Sequence, residues 1–488
     1  MALPDEGGIF FVLRNITSKK LSYSIIALTS LYIIGPSLRH VLSTLFGSKR
    51  ITEDKSNKRL DKYTTGLTNR ANECYINSSL QALSSLQNLT ISLNKYIKLT
   101  ENANEEGDLK ETISRALLHE SLCNLFSSLQ QLILQPRISS NKPVVQALES
   151  IFQGRLSRDQ NDAHEFVQIL LEKLWDEHKM LSQLLGDSNN FKFPFQGTTT
   201  SHYFCMRCHK RSEILKQDQL IWGLNVPQKF SCSLDEVIEE SGNEMIEDYS
   251  CLYCQVSILL ANEANDNFYN SETEKENVET LKSLLPVLKI NSDIPDELAY
   301  YIKNYNKNRC VPSRTKTTIV KRTYFSKSPD SLVIHLSRSI YNGMVLTRNS
   351  CRVSFPEELK VTEQHLDDSD RFQTVKVKYF LKSMVKHTGS HYQGHYQCYK
   401  RKPELVLSSA TRKIINKTPT IRGRHSLNDK SEKVEIEPVS NIKKFKKMKS
   451  VRSLPFWHIS DEKVKEVRSS SLQNEEKYVY MLYYEKLN

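Results

Sequence analysis

Gly66-Leu67-Thr68-Asn69-Arg70-Ala71-Asn72-Glu73-Cys74-Tyr75-Ile76-Asn77-Ser78 is the stretch on which the reading of this 488-residue chain turns. It runs from a loop into a helix predicted over 75–86, where Ile76, Leu80 and Leu83 recur at i, i+4 and i+7. A thiol at that helix start sits in the positive end of the macrodipole, which favours thiolate. Asn69, five residues upstream, carries an amide able to fold back as an oxyanion donor. Taken alone, Cys74 reads equally well as a small buried hydrophobe, the commoner fate of a free cysteine.

A second segment far downstream changes the weighting. His387-Thr388-Gly389-Ser390-His391-Tyr392-Gln393-Gly394-His395-Tyr396 lies between two strand-like runs, and its glycines let backbone approach a substrate closely. An imidazole there can serve a thiol as general base and then as acid to a leaving amine. The bland alternative is three surface histidines in a loop.

Around these boxes the pattern is helices first, strands later, which argues for an α+β fold. Leu118, Leu122 and Leu125 share one helix face, and Phe166, Val167, Leu170, Leu171 and Leu174 form an apolar stripe over a helix predicted at 163–178. The strongest strand runs are 331–338, 375–387 and 477–485, rich in β-branched and aromatic residues. Two polar stretches, Asn/Glu-rich 262–280 and basic 408–453, read as insertions, the first within a poorly patterned region reaching about 325.

Ten cysteines in 488 residues exclude a disulfide scaffold. Cys205, Cys208, Cys251 and Cys254 form two CxxC knuckles, the composition of a closed structural Zn²⁺ site with no open position for catalysis. No catalytic cofactor is expected. The excess of 68 Lys/Arg over 56 Asp/Glu, +12 overall, raises nucleic acid or an anionic surface as a partner. Between Thr411 and Ser453, however, 13 basic and four acidic residues leave 13 − 4 = +9 in one insertion. The basic character belongs to an appendage, a solvated loop or a contact with an anionic membrane surface or an acidic partner, and nucleic acid is not expected.

Together these segments resemble the ubiquitin-specific proteases, a papain-like family of thiol isopeptidases. Gln160-Asn161-Asp162-Ala163-His164-Glu165-Phe166 is similar to the family's second motif, and Phe195-Gln196-Gly197 with Cys205-x-x-Cys208 to the entry of its fingers. Ser331–Arg338 and Tyr478–Tyr484 resemble its central and closing palm strands. The resemblance implies a helical thumb, a β-rich palm and zinc-bearing β fingers over about 195–335, within a catalytic domain spanning 66–488. It implies Cys74 as nucleophile, His395 as general base and Asn69 at the oxyanion position. Gln160, Asp162, Glu165, His387 and Tyr396 then line the channel for the ubiquitin tail. Ala71 and Glu73 depart from the usual Gly and Thr. A carboxylate beside Cys74 opposes thiolate formation if it points inward, so Glu73 is expected to point outward.

The family usually ends its triad with Asp or Asn. In Phe456-Trp457-His458-Ile459-Ser460-Asp461-Glu462-Lys463-Val464 the alignment puts Ser460 at that position and Asp461 at the next acidic one. A hydroxyl orients imidazole without supplying charge, and both residues remain candidates. The expected activity is a ubiquitinyl hydrolase acting on ubiquitin and ubiquitinated proteins. The rival is a catalytically weak ubiquitin-binding scaffold of the same fold, prompted by Glu73 and the missing triad carboxylate.

Ahead of the domain, residues 1–20 lead into Leu21–Leu38, 18 residues without a charge, flanked by Lys19, Lys20 and Arg39. This is short but long enough for a transmembrane anchor, followed by a linker over 39–65. A secretory signal fits poorly, and Asp5 and Glu6 count against a transit peptide. A Ser at the triad position behind such an anchor is similar to the family branch tethered to the mitochondrial outer membrane, which would place the catalytic domain in the cytosol.

Overall fold

The computed structural model describes residues 59–488, apart from 71, 103–114, 155–160, 185–191, 266–268, 270, 342, 367–371, 391–392, 409–413, 423–444 and 488. The anchor expected at 21–38 and Gln160 therefore lie outside the described residues, as does most of the basic insertion. Among the described residues no helix is long and apolar enough to cross a membrane.

Among the described residues the first part of the chain is mainly helical, with α1 (Cys74–Leu83), α2 (Gln87–Asn102), α3 (Leu117–Leu129), α4 (Lys142–Phe152) and α5 (Ala163–Leu184). They pack through Leu80, Leu83, Leu122, Phe126, Leu170 and Leu171, every one buried. Helix α1 is buried on all sides, not only on the Ile76–Leu80–Leu83 face. Its polar residues are tolerated because each finds a partner. The Ser79 hydroxyl donates to Tyr75 O (2.7 Å), and Gln81 Nε2 donates to Thr65 O (2.7 Å).

Among the described residues, the largest sheet has 12 strands. Its long central strand, Phe372–Gly389, pairs antiparallel with Glu358–Leu366, Gly394–Arg401 and Val479–Lys486. Ser331–Ser337 joins through Val479–Lys486, and Phe456–Ser460 extends the far side by pairing with Gly394–Arg401. Val385 and Cys398 of the sheet share one buried cluster with the helices, so α1 is held against the strand that carries His395. At the other end, Gly197–Cys205, Asn243–Tyr249 and Thr317–Lys327 build the fingers.

The fingers are not purely β. Leu252–Asn265, Glu272–Leu284 and Asp296–Asn304 are helices with their own core of Leu259, Val278, Leu281, Leu298 and Ile302. The stretch 262–280 looked patternless because only Val278 and Leu281 of its second helix are buried. Ser271 starts that helix by accepting the Glu274 N–H (3.1 Å), and Glu272 and Glu274 favour its positive end. The region read as an insertion up to about 325 also ends too late, since Thr317–Lys327 is an integral strand of the main sheet. Within 408–453, Ile414–Asn416 and Phe445–Lys447 flank Leu405–Ser408 in a small three-stranded sheet.

Candidate active site and metal centre

Three segments far apart in sequence meet at the start of α1. The short strand Gly66–Leu67 pairs with Ile138–Ser139, and the chain then turns through Asn72, whose φ of 54° an asparagine tolerates better than most residues. Cys74 follows as the first residue of α1, 3% exposed. Burial is the main cause of its raised thiol pKa, with the Asp461 carboxylate adding to it. The backbone N–H groups of Tyr396 and Tyr75 oppose this by bonding the sulfur. The Tyr396 bond places the thiol beside the residue that follows His395.

The hairpin of His387 and His395 is shaped by glycine. Thr388 pairs with His395 and Gly389 with Gly394. A Cβ on Gly394 would lie 2.1 Å from His387 Nε2 and 2.5 Å from Thr388 O, which leaves room only for hydrogen. His395 turns Nε2 toward Ser460, 2.8 Å from its Oγ, while Asp461 Oδ2 is 3.8 Å away. Ser460 thus makes the hydrogen bond to the ring, through Nε2.

Asp461 does something else. It sits in a turn at φ 50°, where its backbone O accepts the Leu67 N–H (3.0 Å). Its carboxylate accepts Asn69 Nδ2 (3.1 Å) on one oxygen and Asn77 Nδ2 (2.8 Å) on the other. Asn69 Oδ1 in turn accepts the Glu73 N–H (3.1 Å), so the amide has one N–H left to offer. Glu73 does not point away into solvent as expected. It is half-buried and accepts Asn141 Nδ2 (3.1 Å). Asn141 and Asn77 are members of this polar cluster that sequence reasoning missed. Asn77 stood in the nucleophile box one turn past Cys74, whereas nothing in the sequence around Asn141 ties it to a site more than 60 residues away.

The residues expected to line a tail channel are partly gathered. Asp162 caps α5 by accepting the His164 N–H (2.6 Å) and also accepts the Tyr480 hydroxyl. Its carboxylate is therefore largely committed to its own protein, while Glu165 is exposed. His387 stacks on Tyr396 with ring centroids 4.2 Å apart, and Tyr480 closes edge-on against both. Behind them His164 and His335 stack at 3.9 Å. Burial, reinforced by His164, pushes the His335 pKa down to about 3.

In the fingers, the four sulfurs of Cys205, Cys208, Cys251 and Cys254 lie within 4.8 Å of one another. Cys205 Sγ is 3.8 Å from Cys254 Sγ, and Cys208 Sγ 3.8 Å from Cys251 Sγ. Burial raises the Cys205 thiol, but hydrogen bonds from the N–H groups of Cys208 and Arg207, the Thr317 hydroxyl and the Cys208 side chain together bring it down to about 7. Such a cluster suits a metal ion.

A buried thiol at a helix start, an imidazole on the facing hairpin and an amide with a free N–H are the parts of a thiol-dependent hydrolase. The profile of the ubiquitin carboxyl-terminal hydrolase family matches residues 65–484, and the chain belongs to that family, the thiol-dependent ubiquitin hydrolases. It is 36% identical to ubiquitin carboxyl-terminal hydrolase 16 of Saccharomyces cerevisiae over 98% of its own length and 99% of the relative's. It is 25% identical to ubiquitin carboxyl-terminal hydrolase 16 of Emericella nidulans, over 76% and 67%. Its fold is similar to that of the SAGA Ubp8/Sgf11/Sus1/Sgf73 DUB module bound to ubiquitin aldehyde. That match has a TM-score of 0.50 at 15% identity and covers 92% of this chain and 76% of the other.

Proposed function

We propose that this chain cleaves the isopeptide bond after the C-terminal glycine of ubiquitin by acyl transfer to Cys74. Because burial holds the thiol pKa up, the proton leaves as the sulfur attacks, passing to His395 Nδ1. The oxyanion is met by the uncommitted N–H of Asn69. The imidazolium then protonates the departing lysine amine and leaves a thioester. Water, deprotonated by the same nitrogen, releases ubiquitin. Ser460 orients the ring from the Nε2 side, and Asp461 acts on Asn69 rather than on the base. Tyr396 and His387 wall the channel, and Glu165 faces the tail.

The observation that carries this reading is the 2.8 Å approach of His395 Nε2 to Ser460, on a strand whose next N–H bonds the Cys74 sulfur. The test is reaction with a ubiquitin vinyl-sulfone probe under reducing conditions. We expect an adduct on the wild type and none on Cys74→Ala. Failure of the wild type to form it would leave the ubiquitin-binding scaffold reading.

The four finger cysteines are proposed to hold structural Zn²⁺. A tetrahedral site with Zn–S of about 2.3 Å has sulfur–sulfur edges of about 3.8 Å, the separation of the Cys205–Cys254 and Cys208–Cys251 pairs. The ion would fix the knuckles and take no part in acyl transfer.

Leu21–Leu38 is proposed to tether the enzyme to the mitochondrial outer membrane with the catalytic domain facing the cytosol. Its support is the uncharged 18-residue run between basic flanks and the similarity of the Ser460 arrangement to the tethered family branch. Deleting residues 1–46 should move the protein to the soluble fraction, and a truncated protein that still pellets with membranes would end the idea.

A further inference from the structure

The amides around the nucleophile form a closed ring. Glu73 N–H donates to Asn69 Oδ1, and Asn69 Nδ2 to Asp461 Oδ2. Asn77 Nδ2 donates to Asp461 Oδ1, and Asn141 Nδ2 to Asn77 Oδ1 (2.9 Å). Asn141 Nδ2 also donates to Glu73 Oε2 (3.1 Å), which returns the path to the residue where it began. From this ring we infer that Glu73 and Asn141 are positioning residues for hydrolysis, setting which way the Asn69 amide faces. The inference rests on the reading of Asn69 as oxyanion donor and of Cys74 as nucleophile.

The physical argument is one of direction. A side-chain amide has an acceptor end and a donor end of nearly equal shape, and turning it over exchanges them. At an oxyanion site that exchange would aim a carbonyl oxygen at developing negative charge. Ionised carboxylates accept only, so they impose a sense on the amides next to them. The ring has two, Asp461 and Glu73, with Asn77 and Asn141 between. Asp461 fixes the donor ends of Asn69 and Asn77, and Thr68 O reinforces the second by accepting Asn77 Nδ2 (3.1 Å). Glu73 fixes the donor end of Asn141, which then has only N–H to offer to Asn77 Oδ1. Removing the Glu73 carboxylate frees Asn141 to turn over and set oxygen against oxygen. Asn77 must then rotate or leave, and with it goes half the support of Asp461.

A second observation shows that Asn141 is committed to this ring. It occupies the N-cap of α4, where an asparagine normally turns its oxygen onto the helix N–H groups. Here it makes no such cap, and its amide points inward to Asn77 and Glu73. Both Asn141 and Asn77 are buried, so neither has water to substitute for a lost partner. Glu73 thus has a use for its carboxylate despite standing next to a thiol that negative charge disfavours.

The experiment compares two reactions of the full-length protein that differ in one respect. Hydrolysis of ubiquitin-aminomethylcoumarin passes through a tetrahedral oxyanion, whereas addition of Cys74 to ubiquitin propargylamide forms none. In Glu73→Ala and Asn141→Leu, kcat for hydrolysis should fall about 10- to 100-fold. KM and the rate of propargylamide labelling should not fall by more than about threefold, because neither variant removes a group that binds substrate or donates to the Cys74 sulfur. Glu73→Gln, whose amide oxygen can still accept from Asn141, should recover most of the lost kcat. Hydrolysis and labelling falling together would mean the ring is only structural, and unchanged hydrolysis in both variants would mean it has no role. Either result overturns the inference. If the wild type itself neither hydrolyses nor labels, or Cys74→Ala still does, it is the underlying reading of the site that fails.

Discussion

Replacing Ser460 by alanine asks how much orientation alone contributes when the triad lacks a carboxylate. The hydroxyl is 2.8 Å from His395 Nε2 and is the hydrogen-bond partner of that nitrogen. A neutral hydrogen bond contributes about 0.5–1.5 kcal/mol. At 1.36 kcal/mol per factor of ten, kcat for ubiquitin-aminomethylcoumarin should therefore fall about 2- to 13-fold. In the Ser-His-Asp template, replacing the aspartate lowers kcat by about 10⁴, so the two kinds of orienter are readily told apart. Asp461 is poorly placed to take over. It lies 3.8 Å from Nε2, and both of its oxygens already accept amides. Ser460→Asp should match or exceed the wild type, because a charge beside Nε2 stabilises the imidazolium formed during acyl transfer. The assay is steady-state hydrolysis by all three proteins at fixed ionic strength. A loss of 10³ or more in Ser460→Ala, or no change at all, would refute the assignment of a neutral orienting hydroxyl.

The other predictions concern stability, the hairpin and the fingers. His335, buried and held neutral, has its pKa lowered from about 6.5 in an unfolded chain to about 3. The unfolded state thus binds the extra proton between those values, and stability present above pH 6.5 is lost as pH falls toward 3. Near pH 5 the loss is about 2 kcal/mol, which urea melts of wild type and His335→Phe would detect as a weaker acid dependence in the variant. Gly394→Ala should cut kcat/KM by at least about tenfold, since a methyl there collides with His387 Nε2 and Thr388 O beside the base; an unimpaired variant would contradict the tight approach. Cys251→Ser should remove bound zinc and lower Tm by several degrees. Elemental analysis and a thermal melt check this, and full metal content in the variant would refute the four-sulfur site.

Much of this architecture was legible one residue at a time. The stripe over α5 and the strand runs at 331–338 and 375–387 announced themselves because each buries one face or both, and burial imposes periodicity. The finger helices did not, because a helix that buries only Val278 and Leu281 leaves nearly all its surface polar. Helix α1 misled in the opposite sense: it read as amphipathic, yet its polar side is buried too, satisfied by partners such as Thr65 O.

What the sequence determined by itself was chemical identity: a cysteine at a helix start, a histidine between glycines, two CxxC knuckles, an uncharged run between basic flanks. These are local, since residue type and near-neighbour spacing express them. Only the tertiary structure decided how the parts are used. Ser460 and Asp461 are adjacent in the chain and were rivals for one role; the turn at φ 50° sends their side chains to different partners, one to His395 and the other to Asn69 and Asn77. Asn141 entered the site from the start of α4 for the same reason. A hydrogen bond depends on distance and direction between groups that here stand hundreds of residues apart, and folding alone brings those together.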